Sequence, residues 1–278
     1  MPDLPARPDL LQLRHQAKDL LRLAKSGDTG ARSRIQTIAE RLDLSSAQLT
    51  IAREYGFASW PRLKTEVQRR RLLNHRDLAG LRSMIAQEPG LATSRMEHWC
   101  DHGLGVTPLS YVAMLRFDAR RLGLLGEVDG TGATARLLLE AGAAVEGQPG
   151  ESETPLMTAA SYGDAEVALA LIEKGADLEA TAAPEAGGVG GGTALAHAAV
   201  FGMTPVLDLL VASGAHVRSL QEAAAAGDIR GWLLPDTPVD DRVSALTMAA
   251  DHQRLAVIDE LLAAGTPVDA VDAQWGRQ

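Results

Sequence analysis

The sequence predicts an all-α protein built from stacked helix pairs, and three observations carry that prediction. A unit of two short helices closed by glycine recurs between residues 105 and 270. Within each copy the apolar residues return at helical spacing. Aromatic residues make up only 4% of the 278-residue chain against 46% hydrophobic. That is too little for a large aromatic-packed core and natural for Ala- and Leu-rich helices stacked on one another.

The N-terminal third is helical in pattern. Residues 11–21 are amphipathic, and residues 49–64 form a second block containing Tyr55, Gly56, Phe57, Trp60 and Pro61. Residues 1–66 read as a helical cap continuous with an array. An end unit needs a polar outer face because it lacks a neighbour to bury an apolar one. Residues 67–104 read as a divergent repeat, with a helical stretch over 74–86 that ends at Pro89-Gly90.

The clearest unit is ETPLMTAASYGDAEVALALIEKGADLEA, residues 153–180. Thr154 is placed to be an N-cap, and Pro155 sits at N1, where a missing N–H costs nothing. Leu156, Ala159 and Ala160 share one helical face, and the two alanines let the next unit approach closely. Gly163 stops the first helix. Val167, Leu171 and Ile172 form the stripe of the second helix, which Gly175 ends. Thr107-Pro108-Leu109 opens an earlier copy that closes at Ala141-Gly142-Ala143, and Thr193-Ala194-Leu195 opens a later one that closes at Gly214-Ala215. Ser244-Ala245-Leu246 opens a further copy ending at Gly265, and residues 220–243 form a degenerate unit that meets Pro235 early.

This order of turn, Thr-Pro-Leu, Ala-Ala, Gly and apolar second helix resembles the ankyrin repeat, a unit of roughly 33 residues with a β-turn and two helices. The resemblance covers about residues 105–270. It implies an ankyrin-repeat solenoid of helix-turn-helix stacks over residues 105–278. The N-terminal segment is similar to the helical region ahead of repeats in many bacterial ankyrin proteins. The pattern departs from the family at 115–133, at the Ala/Gly-rich 181–192 and at 220–243. Insertions between repeats map to loops on one face, often the binding face. Trp275 sits where a new turn would begin. The expectation is either a truncated chain or a missing last repeat, with an uncapped face that favours self-association.

Charge is uneven. Residues 1–76 carry 15 Lys+Arg against 8 Asp+Glu, while residues 77–278 carry 12 against 28. One cysteine, Cys100, excludes an intrachain disulfide and fits a reducing compartment. No long apolar run is present, so a cytoplasmic protein with no membrane partner is expected.

The resemblance implies a non-enzymatic module holding a protein partner in a concave groove. Family binding positions, the turn tips and first-helix ends, map onto Met114 and Leu115, Ser161 and Tyr162, Val200 and Phe201, and Asp251 and His252. Tyr111 and His197 lie one turn earlier. Tyr111, Tyr162 and Phe201 are the natural anchors, since aromatic residues supply much of the energy at binding hot spots. The blander reading is that these side chains pack against the adjacent repeat. A second reading is a small-molecule or catalytic pocket lined by His197, Phe201, Glu222 or His252 in a groove narrowed by the insertions.

Other chemistries find less support. His98, Cys100 and His102 alternate as metal ligands would, but no second ligand cluster exists, so no metal is expected. Residues 181–192 are glycine-rich without the strand and the Gly-Lys-Ser/Thr ending of a phosphate loop, and they read as a flexible connector or lid. Residues 45–64 have a helix-turn-helix outline, yet Arg62 and Lys64 suit phosphates more than bases and Trp60 suits packing, so nucleic acid is not the expected partner. No cofactor and no catalytic residue are expected.

Overall fold

The computed structural model describes residues 4–5, 7–97, 106–124 and 128–272. Within them are fourteen α-helices, one 3₁₀ turn and no strand. Two compact units result, one of residues 1–108 and 118–127, the other of 109–117 and 128–278.

The first unit contains α1 (Leu10–Lys25), α2 (Thr29–Ile38), α3 (Leu44–Glu54), α4 (Trp60–Asn74), α5 (Leu78–Gln87) and the 3₁₀ turn Pro89–Ala92. Each α-helix starts where a side chain takes up an orphan N–H. Asp9, Asp28, Asp43, Ser59 and Asp77 accept from the backbone N–H of Gln12, Ala31, Ser46, Arg62 and Gly80. Leu13, Ala17, Leu20, Ile35, Ile51, Phe57, Leu63 and Val67 form the core, with Tyr55 and Trp60 packed against it. Trp60 therefore packs inward, and Arg62 pairs with Glu97 at 2.5 Å. The expected cap boundary at 66 falls inside α4, because the helical pattern runs unbroken from Trp60 to Asn74. At that point Glu66 lies buried between two buried arginines. Its carboxylate accepts from Arg69 Nη2 at 2.6 Å and Arg70 Nε at 3.3 Å. Arg69 also donates to the carbonyls of Leu91, Ser94 and Arg95, which pins the segment after the 3₁₀ turn.

The second unit takes part of α6 (Pro108–Leu122) and then α7 (Thr131–Glu140), α8 (Pro155–Tyr162), α9 (Ala165–Glu173), α10 (Ala194–Val200), α11 (Thr204–Ala212), α12 (Leu220–Ala226), α13 (Val239–Asp251) and α14 (Leu255–Ala263). First helices pack on first helices in the order α8, α10, α12, α13, and second helices pack in the order α7, α9, α11. The alanine pairs explain the close first-helix layer. Ala159, Ala160, Ala198, Ala199, Ala223 and Ala224 are all buried. Gly163 adopts φ +75°, and a Cβ there would lie 2.6 Å from Met203 Sδ. Only glycine suits both the left-handed turn and that approach.

The turns form their own ladder. Gly142 and Gly175 stand 33 residues apart, as do Glu146 and Glu179. Glu146 Oε1 accepts from the Asp177 N–H, and Glu179 Oε1 accepts from the His216 N–H, each at 2.8 Å. One residue position thus stitches two successive turns to the turns that follow them.

Two expectations change in form. The stretch 115–133 is partly an extension of the first helix, since α6 runs 15 residues where α8 runs 8. The degenerate unit has α12 but no second helix among its described residues, and turns carry the chain from Gly227 to α13.

Candidate partner-binding surface

The sequence places the contact row at the ends of the first helices, and the structure divides that row by burial. Tyr111, Met114, His197 and His252 lie at 5% exposure or less. These four side chains are buried among the stacked helices rather than presented on the surface. Leu115 is likewise buried. Ser161, Tyr162 and Val200 are half-buried, and Phe201 and Asp251 are exposed.

The two histidines act as rivets between repeats. His197 Nδ1 lies 2.8 Å from Ser161 Oγ, which ties α10 to α8. His252 Nδ1 lies 2.9 Å from Thr204 Oγ1, and its Nε2 lies 2.9 Å from the Ala199 carbonyl oxygen. The carbonyl only accepts, so Nε2 carries the proton and Nδ1 accepts from the threonine hydroxyl. Burial pushes both imidazoles below their ordinary range. The Glu153 carboxylate and the Val189 backbone oppose this at His197, and the Ala199 carbonyl opposes it at His252. Neutral, internally bonded imidazoles are structural groups. A pocket lined by His197 and His252 loses two of its three polar groups. Glu222, the third, accepts the Arg218 N–H at 2.6 Å, and burial raises its pKa.

Phe117 is the residue that sequence reasoning missed. It lies on the extension of α6, is 65% exposed, and its ring centroid sits 5.0 Å from that of Tyr162 at 53°. Phe201, at 41% exposure, lies 6.3 Å from the His197 ring. The result is a chain of contacts across three first helices: Phe117, Tyr162 beside Ser161, His197, Phe201. Reading 115–133 as an insertion hid Phe117, although the absence of a glycine or proline between Leu109 and Leu122 signalled a continuing helix.

Arg116 fixes the base of this row. It pairs with buried Asp164 at 3.2 Å and with Glu166. Asp164 also caps α9 at Val167 and accepts from Thr131 Oγ1 at 2.9 Å. Burial raises the Asp164 pKa, against the pull of the Val167 N–H and Arg116.

Residues 181–192 are tied down, unlike a loose connector. The Ala183 N–H donates to the Ser152 carbonyl at 2.8 Å, the Ala182 N–H to Gly192 at 2.9 Å, and the Gly188 N–H to Glu153 Oε1 at 3.1 Å. Gly188 lies so close to His197 that a Cβ would stand 2.8 Å from its Cε1. The insertion thus covers the back of the histidine that holds the row together.

A family model of ankyrin repeats, in three copies, matches residues 128–221, from just before α7 into α12. The stacked helix pairs form an ankyrin-repeat solenoid. No curated protein matches the chain. The His98, Cys100 and His102 candidates and Trp275 lie outside the described residues. Among the described residues no group of three or more His, Cys, Asp or Glu is placed to hold a metal. No described helix is long and apolar enough to cross a membrane.

Proposed function

We propose that the ankyrin-repeat unit is a non-enzymatic module that binds a protein partner across the face formed by Phe117, Tyr162 and Phe201, with Ser161, Val200 and Asp251 at its edges. Ankyrin repeats are generally protein-interaction modules, and the matched family supports that class of function. The observation that carries the finer reading is exposed Phe117 tilted against half-buried Tyr162, continued by exposed Phe201. Aromatic rings left in water on a rigid helical scaffold offer large apolar area with little entropy left to lose on docking.

The test is affinity capture from a lysate of the cells that make the protein, comparing wild type with a Phe117→Ala/Tyr162→Ala/Phe201→Ala variant. The expected result is a protein held by wild type and lost by the variant, with helix content and urea midpoint nearly unchanged. An identical capture profile from a folded variant would remove this surface from consideration.

A further inference from the structure

We infer that the protein associates head to tail, with α14 of one copy docking into a groove between α1 and α4 of the next. The groove has a volume of about 660 Å³ and is lined by Leu10, Leu11, Arg14, Arg71, Leu72 and His75 among others. Its floor is apolar, and Leu11 stands 60% exposed over it. Its charge is basic in effect. Arg14 and Arg71 form no ion pair among the described residues. The two carboxylates on its rim, Asp9 and Asp77, are already engaged with the N-termini of α1 and α5, at 2.8 and 2.9 Å.

The complementary surface is on α14. Its inner face, Val257 and Leu261, is buried against its own repeat. Leu255, Ile258 and Leu262 recur at helical spacing on another face, where Leu255 is 72% and Leu262 37% exposed. That is an apolar stripe one helix wide, the shape that a groove between two helices accepts. Asp259 flanks the stripe and forms no ion pair among the described residues. The long-range charges agree with the local ones. Residues 1–76 carry 15 Lys+Arg against 8 Asp+Glu, and residues 128–278 carry 7 against 22. The second copy of this chain is therefore the occupant chosen. It presents an acidic amphipathic helix, and the groove is basic and apolar.

Two different surfaces meet in this contact. The interface is heterologous, so it propagates into open chains unless the rotation closes a ring. That geometry gives a sharp test by sedimentation velocity. Wild type is run across a concentration series up to about 200 µM, at about 50 mM and about 500 mM salt, where the screening length falls from more than 10 Å to a few. The expected result is a ladder of oligomers that grows with concentration and shortens at high salt. Arg14→Glu/Arg71→Glu keeps its α14 stripe but lacks a basic groove, and Leu255→Glu/Leu262→Glu keeps its groove but lacks the stripe. All four positions are at the surface, and circular dichroism checks that the fold is retained. Each variant alone is expected to be monomeric. Their equimolar mixture is expected to form a dimer and nothing larger, because one intact groove meets one intact stripe. A monomeric wild type at low salt overturns the inference and leaves the groove to a foreign occupant. A variant that assembles like wild type, a mixture without dimer, or a mixture that grows past the dimer overturns it as well.

Discussion

Replacing His252 by alanine tests whether the inter-repeat rivets hold the array. The imidazole is 2% exposed and makes two hydrogen bonds of 2.9 Å, to Thr204 and to the Ala199 carbonyl. The variant leaves the Ala199 carbonyl with only the longer hydrogen bond from the Gly202 N–H at 3.3 Å, and losing the better donor costs about 1–2 kcal/mol. Thr204 is half-exposed and regains water at little cost. The cavity left by the ring adds about 1–2 kcal/mol. The expected loss is therefore about 2–4 kcal/mol at neutral pH, read as a lower urea midpoint by far-UV circular dichroism. The pH dependence separates this account from simple loss of volume. His252 has a folded pKa below its ordinary 6.5, chiefly because it is buried. The unfolded chain then binds protons more readily than the native one. The stability that neutral His252 contributes is complete above about pH 6.5 and is lost as pH falls below that value. Wild type should lose stability between about pH 7.5 and 5.5 more steeply than His252→Ala, so the gap between them narrows in acid. An unchanged midpoint, or a gap that stays constant with pH, would refute the reasoning.

Three further predictions follow from other contacts. Glu66→Ala removes the carboxylate shared by two buried guanidiniums and should destabilise the first unit by about 3–5 kcal/mol, seen as a lower unfolding midpoint and faster proteolysis near residues 91–97. Gly163→Ala forces a side chain into a left-handed turn against Met203 and should cost about 1–2 kcal/mol in urea unfolding, whereas the same change at Gly175, where a Cβ meets nothing within 4 Å, should cost only the strain of its φ. Gly188→Ala should detach residues 181–192 from Glu153 and His197; limited proteolysis is expected to cut that segment faster than in wild type, with the urea midpoint shifted little.

The repeat frame was legible because each of its signals is local. Thr154 caps α8, Pro155 occupies its first turn, Gly163 ends it in a left-handed conformation and Val167 starts the buried stripe of α9, all as the residue types dictate. The candidate surface was legible only in outline. Ser161, Tyr162, Val200 and Phe201 fall where repeat position puts them. Position in a repeat does not say whether a side chain turns out to solvent or back into a neighbouring helix. His252 and Phe201 occupy equivalent places, yet His252 is buried because an acceptor carbonyl and a hydroxyl lie within its reach, while Phe201 is 41% exposed. Phe117 is not legible from repeat position, because added length at 115–133 does not by itself distinguish a loop from two more turns of α6.

The sequence by itself determined the helix pairs, their caps, their order and the separation of basic from acidic charge, because these depend on residue type and short-range spacing. Tertiary structure alone decided which first-helix residues face water, which charged groups satisfy one another inside, and where residues 181–192 lie. Those outcomes depend on contacts between residues dozens of positions apart, such as Ser161 with His197 and Ala199 with His252. A linear pattern carries no record of such distances until the helices are stacked.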